Sequence, residues 1–172
     1  MLPPHDVLYS AEAIAARVDT LAEEVASRLG DDATVIALLQ GAMPFAVDLL
    51  RALARRNVHP LLDGLWLESY RDARESSGRV VVRADVSRPL AGRRVLILDD
   101  VFDSGRTIAF ARAHVLAKGA AAVAACALIR KPLASDEPIE HIGFDAPDRF
   151  LVGYGMDDAG LYRGLPEIVA LR

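Results

Sequence analysis

Cysteine is almost missing from this chain. Cys126 is the single one, so no disulfide can close within it, and that usage fits a reducing compartment, the cytoplasm by default. It lies in the apolar run AAVAACALI, where a thiol serves as a small buried hydrophobe. An excess of positive charge is missing too. The net charge is −4, which argues against a nucleic-acid binder, because a phosphate backbone demands a positive face. No apolar run reaches the roughly 18 residues of a membrane span. MLPPHDVLYS has neither a basic nor an apolar segment of the kind a signal peptide uses, so none is expected. The four histidines, His5, His59, His114 and His141, show no metal-binding spacing and receive no role.

What is present describes a globular chain. With 172 residues, 52% of them hydrophobic, the expectation is one domain over residues 1–172 with a sizeable core. Ile14, Val18, Leu21, Val25 and Leu29 recur at helical steps, with Ser10 placed to cap the start and Gly30 the end. TVIALL (34–39) reads as a strand buried on both faces, followed by a helix from about Pro44 to Arg56. Strand-like segments cover 61–68 and 79–84, with a polar loop over 69–78 between them. Arg94 to Leu98 is a further strand, then a helix from about Thr107 to Lys118, then a strand over 122–129. Residues 131–147 read as irregular, Phe150 to Val152 as a short strand, and YRGLPEIVAL holds one more. Buried strands alternating with helices mean an α/β fold with a mostly parallel sheet, whose ligands bind at the carboxyl ends of the strands. The ends at Asp99, at Gln40–Gly41 and at Arg130–Lys131 are expected to converge.

The segment VLILDDVFDSGRT (95–107) carries the chemistry. Asp99, Asp100 and Asp103 follow a strand without a polar residue. Gly105 stands where a chain turns tightly or approaches a ligand, and a helix begins next, whose free N–H groups make an anion site. A bland alternative has Asp103 or Ser104 merely capping that helix. Three carboxylates beside an anion pose a problem, however. Two unit charges about 4 Å apart repel by about 4 kcal/mol at an effective dielectric of about 20, more than the ~0.3–1 kcal/mol a helix terminus supplies. The carboxylates must therefore meet what accompanies the anion, either magnesium or sugar hydroxyls, and a phosphorylated ribose has that layout. The segment is neither a Walker A loop nor a dinucleotide fingerprint.

A hydrophobic strand, two acids, two apolar residues and Asp-Ser-Gly-Arg-Thr resemble the 5-phosphoribosyl-1-pyrophosphate (PRPP) motif of type I phosphoribosyltransferases, a motif that some PRPP-binding regulators also carry. The segment IEHIGFDAPDRFLVGYGMDDAGLYRGLPEIVAL (139–171), with IRKP at 129–132, LQG at 39–41 and ESY at 68–70, is similar to the hypoxanthine-guanine phosphoribosyltransferases. That resemblance implies a mostly parallel central sheet flanked by helices, with a small hood built from the two ends of the chain. It implies Mg²⁺, PRPP and 6-oxopurine bases as ligands, and a homodimer or homotetramer. Asp99 and Asp100 would meet the ribose hydroxyls and the metal, and Asp103 would act as general acid/base beside purine N7. Asp103, Ser104, Gly105, Arg106 and Thr107 would cradle the 5′-phosphate. Leu39, Gln40, Gly41 and Arg163 would face pyrophosphate, with a peptide bond in LQG that is often cis in the family. Phe150 would stack on the purine and the Leu151 main chain would read its edge. Lys131 would donate to the 6-oxo group, and a donor there rejects adenine, whose 6-amino group is itself a donor. Asp157 would lie beside the base and hold a second magnesium. Ser69 and Tyr70 would belong to a lid over 69–78.

The sequence departs from the family pattern at four places. Gln40 replaces a commoner basic residue, Arg106 replaces lysine, Trp66 and Glu68 precede the lid, and Asp158 stands where an aromatic is common. A xanthine preference, or a PRPP-sensing regulator that binds nucleic acid, remain the alternatives. Taken singly, Phe150 also reads as strand core, Lys131 as a solvated charge, Asp157 as a helix-start residue and Arg163 as a surface ion-pair partner.

Overall fold

The computed structural model describes residues 2–30, 32–70, 79–132 and 136–172. In chain order the elements are β1 (His5–Tyr9), α1 (Ala11–Leu29), β2 (Thr34–Leu39), α2 (Met43–Ala54), β3 (Leu61–Tyr70), β4 (Arg79–Ala84), β5 (Arg94–Phe102), α3 (Arg106–Ala117), β6 (Ala122–Arg130), β7 (His141–Asp145), β8 (Leu151–Val152) and β9 (Ile168–Leu171). Among the described residues the main sheet has the order β4-β3-β2-β5-β6-β7, and a smaller sheet has the order β1-β9-β8. β3, β2, β5, β6 and β7 run parallel and β4 is antiparallel on the edge.

Alternation along the buried strands explains why their sequences show no polar face. On β2, Val35 and Ala37 join the core under α1 and α2, whereas Ile36 and Leu38 join the core under α3. Successive side chains point to opposite faces, so a strand covered on both faces needs an apolar residue at every position. α1 contributes Ile14, Val18, Leu21, Val25 and Leu29, all buried, each stabilising by about 1.5–3 kcal/mol on burial of a large aliphatic side chain. The Ser10 hydroxyl accepts from the Ala13 amide at 3.3 Å, as the N-cap reading requires. Cys126 is fully buried, and burial pushes its thiol pKa up.

Several sequence expectations need correction. β5 does not end at Leu98 but continues through Asp99 and Asp100 to Phe102, because pairing with β6 runs on to Phe102 and Arg130. Residues 141–145 are not irregular: they form β7, which pairs with β6 despite the flanking prolines. His5–Tyr9 forms β1, a strand seen only through its long-range pairing with β9. α3 is capped neither by Asp103 nor by Ser104. Its N-cap is Gly105 in the left-handed conformation, without a side-chain cap bond.

Strand order reverses at β2 and β5: α2 leads outward to β3 on one side, while β6 and β7 extend on the other. Ligands in open α/β sheets bind at such a switch point, outside the carboxyl ends of the strands. Leu39 ends β2 there, and Asp99–Asp100 lie near the end of β5. The β1-β9-β8 sheet forms the hood: β8 pairs antiparallel with β9, and β9 with β1.

Candidate functional site

Two concavities meet at the end of β5. A small cup of about 50 Å³ is lined by Asp99, Asp103, Ser104, Gly105 and Thr107 together with apolar neighbours. With no side chain capping α3, the amides of its first turn stay available to a ligand, and the Ser104 and Thr107 hydroxyls add donors. Arg106 is exposed and does not line the cup.

Beside it lies an open cleft of about 410 Å³ lined by Asp100, Val101, Asp103, Lys131, Arg149, Phe150, Leu151, Met156 and Asp157. Asp103 belongs to both spaces. Phe150 is 56% exposed, which rules out the core reading for it: an aromatic face is presented to the cleft and left uncovered. Lys131 is not a solvated charge either. Its side chain is only 12% exposed, and its ammonium donates to the Arg149 main-chain carbonyl. Leu151 opens β8 and is buried.

The acidic pair is poised against its own charge. Asp99 is 7% exposed, and its Oδ1 accepts from the Asp100 amide at 3.0 Å. Burial, and next the neighbouring Asp100 charge, push the Asp99 carboxyl well above the usual carboxylate range. Two adjacent carboxylates taken out of water favour a partner that supplies positive charge. Among the described residues no group of three or more His, Cys, Asp or Glu side chains forms a complete cation cage. A magnesium ion fits such a pair nonetheless, because it is usually held by one or two carboxylates plus water and the substrate's own oxygens.

The Leu39–Gln40–Gly41 turn comes in from β2. Leu39–Gln40 is a cis peptide bond. Gln40 is exposed, while Gly41 is buried. A side chain at Gly41 would put its Cβ 1.9 Å from Asp100 Oδ2, and one at Gly155 would lie 1.9 Å from the Gly41 carbonyl oxygen. Three segments far apart in sequence therefore touch carboxylate to backbone to backbone, with Gly41 between Asp100 and Gly155. Arg163 donates to the Gly155 carbonyl at 2.6 Å and pairs with Asp157 at 2.6 Å, and Asp157 Oδ2 also accepts from the Gly160 amide. Arg163 thus sits behind the Asp157 loop rather than in the lining of the cleft. Of the lid expected over 69–78, residues 71–78 and the side chains of Ser69 and Tyr70 lie outside the described residues; the backbone of Ser69 and Tyr70 continues β3, opposite Val80 and Arg79.

Residues 5–159 match the model of the phosphoribosyl transferase domain. The chain belongs to the phosphoribosyltransferase family. It is 36% identical over 174 residues to the hypoxanthine-guanine phosphoribosyltransferase of Mycobacterium tuberculosis, covering 96% of this chain and 85% of the relative. It is 34% identical over 169 residues to the enzyme of the same name from Bacillus subtilis, covering 96% and 92%. A crystal structure of a hypoxanthine-guanine phosphoribosyltransferase from Bacillus anthracis superposes with a TM-score of 0.89 at 34% identity, covering 97% of this chain and 98% of that one. The fold of this phosphoribosyltransferase is therefore the mostly parallel, helix-flanked sheet with a hood.

Residues that sequence reasoning missed cluster around the same cleft. Arg149 lines it, and Tyr154, with φ +46°, donates its hydroxyl to Asp48 Oδ2 at 2.9 Å, fastening the loop after β8 to α2. Met156 is buried and also lines the cleft. No local pattern marks these contacts, since each partner lies far away in sequence.

Proposed function

We infer that this chain transfers the 5-phosphoribosyl group of PRPP to N9 of hypoxanthine or guanine, giving IMP or GMP and pyrophosphate, a purine-salvage reaction. One observation carries the reading: an uncovered aromatic ring and a buried ammonium, Phe150 and Lys131, share a cleft with Asp100 and Asp103. That is the equipment for a planar base with a 6-oxo acceptor next to a sugar.

In this reading Phe150 stacks on the purine, and Lys131 donates to the 6-oxo oxygen. The cup at the start of α3 takes the 5′-phosphate through Ser104, Gly105 and Thr107, with Arg106 contributing its main-chain amide only. Asp103 accepts the proton that leaves N7 while the bond from N9 to C1′ forms and the bond from C1′ to the pyrophosphate oxygen breaks, and it gives that proton back to N7 only in the reverse reaction. Positive charge builds on the ribose ring as the leaving group departs, and the nearby carboxylates stabilise it. Asp99 and Asp100 would hold Mg²⁺ together with ribose and pyrophosphate oxygens, and Asp157 a second ion. When bound, the metal supplies charge neutralisation of the leaving pyrophosphate. The Leu39–Gln40–Gly41 backbone faces pyrophosphate, and Arg163 supports it from behind through its contacts with Gly155 and Asp157. Choice among hypoxanthine, guanine and xanthine falls to contacts at the purine 2-position, beside Asp157. Ser69 and Tyr70, with the rest of the lid, exclude water from the reacting centre.

Self-association belongs to the same reading, as a homodimer or homotetramer. Met43, Val47, Leu62 and Trp66 are exposed large hydrophobics on α2 and one face of β3, a continuous apolar strip of the kind that marks protein contact. A single buried cysteine fits a cytoplasmic setting, and no helix among the described residues is long and apolar enough to cross a membrane.

The test is product identification. Purified protein, PRPP and Mg²⁺ are incubated with hypoxanthine, guanine, xanthine and adenine in parallel. IMP, GMP and pyrophosphate are expected, with no AMP. AMP formation, or no nucleotide from any base, would remove the reading.

A further inference from the structure

Arg149 occupies an unusual position: its main chain and its side chain serve two different parts of the molecule. Its carbonyl oxygen accepts from the Lys131 ammonium. Its guanidinium leaves in the other direction, donating to the carbonyls of Ala170 at 3.2 Å and Leu171 at 3.1 Å on β9 and pairing with Asp6 Oδ2 on β1 at 2.9 Å. Asp6 is held from a second side by Arg172, whose Nε donates to Oδ1 at 3.0 Å. Arg172, and next Arg149, lower the Asp6 carboxyl to a pKa of about 2, so this acid is ionised throughout the neutral range. The next residue in the chain is Phe150, whose carbonyl accepts from the Leu171 amide at 2.9 Å.

We propose that Arg149, held by Asp6, is a positioning residue that sets base affinity by clamping the hood to the base-reading elements. The proposal rests on the reading of the cleft as a 6-oxopurine site. A lysine ammonium on a four-carbon stem is a mobile point charge. Here the Arg149 carbonyl fixes where it sits, and that carbonyl is fixed in turn by a guanidinium bridging two hood strands. The planar fork suits this task, since it can donate to two carbonyls and a carboxylate at once. Small displacements of a positioned donor lower affinity steeply. Among the described residues no hydrogen bond or ion pair of Asp6 or Arg149 reaches the phosphate cup or the LQG loop, so the effect is expected on the base and not on PRPP.

The experiment measures KM for hypoxanthine, KM for PRPP and kcat for the full chain and four variants. Arg149→Ala should raise KM for hypoxanthine about tenfold, with KM for PRPP and kcat within about threefold of the parent. Asp6→Asn should move the same constant in the same direction by less. Arg149→Lys should fall between parent and alanine, because an ammonium still pairs with Asp6 but cannot span both carbonyls. Arg172→Ala, which shares Asp6 but does not reach β8, should behave as the parent. An unchanged hypoxanthine KM in Arg149→Ala overturns the clamp. So does a uniform loss of kcat with a lower melting temperature and unchanged KM values, which marks a merely structural role. An Arg172→Ala effect as large as that of Arg149→Ala overturns it too. A parent protein that turns over no 6-oxopurine removes the underlying reading and the clamp with it. A competent parent with an unaffected Arg149→Ala variant removes the clamp alone.

Discussion

Asp103 and Asp99 show how neighbouring carboxylates receive different work from their surroundings. Asp99 is buried and its carboxyl is pushed up, which suits a group awaiting a cation. Asp103 is exposed at the junction of cup and cleft, which suits proton exchange with a bound base. Asp103→Asn is expected to lower kcat by about 10²–10⁴-fold, the usual worth of a positioned acid/base group, while PRPP affinity measured by calorimetry changes little. Near-normal turnover would strip Asp103 of its acid/base role. That the three carboxylates and the helix start share one place was legible beforehand, because residues 99–107 form one contiguous stretch; the acid/base role of Asp103 came only from the family pattern. Lys131 and Phe150 were legible only through the family pattern; nothing in RFLV distinguishes an uncovered ring from a core one. The Arg163–Asp157 pair and the Arg149 contacts were not legible in physical terms, since each depends on how a loop folds back upon itself or upon a distant strand.

At the scale of elements, apolar periodicity identified α1, and continuous apolar runs identified β2 and β6, which are covered on both faces. β7 escaped because HIGFD is short and flanked by prolines and charges, and only β6 beside it makes it a strand. β5 ran longer than its apolar stretch for the same reason. Contacts between elements also carry charge. Asp85, just beyond β4, accepts from Lys118 at 2.7 Å and from His114 Nε2 at 2.8 Å on and beside α3. Burial would raise its pKa, but the Lys118 and His114 hydrogen bonds prevail and bring it from 3.8 to about 2. A carboxyl depressed on folding contributes stability that is fully present above about pH 4 and lost as pH falls toward about 2. Asp85→Asn should therefore lower the unfolding free energy measured in urea at pH 7, by less than about 1 kcal/mol for so exposed a pair. The gap to the parent should shrink between pH 4 and pH 2. A gap that stays constant over that range would contradict the ion pairing.

For the whole molecule, the decisive feature is that residues 41, 100 and 155 meet at distances that admit no Cβ. The α/β class and the convergence of strand ends followed from the order of elements, because switch-point geometry is a property of topology. The hood did not follow from periodicity, since β1, β8 and β9 are short and β1 pairs with β9 across nearly the full chain. Gly155→Ala sets a Cβ against the Gly41 carbonyl at a φ of +102°. It should cost about 10²-fold in kcat/KM through misplacement of the LQG loop, along with a lower melting temperature. A fully active variant with an unchanged melt would show that the three segments are not rigidly joined.

The central claim is that the cleft reads a 6-oxo group through Lys131. It is tested most directly by the ratio of kcat/KM for hypoxanthine to that for adenine, in the parent and in Lys131→Ala. The account predicts a strong parental preference for hypoxanthine that falls by about 10²-fold in the variant, the worth of one buried charged hydrogen bond, with adenine use unchanged. An equal ratio in both proteins would contradict it.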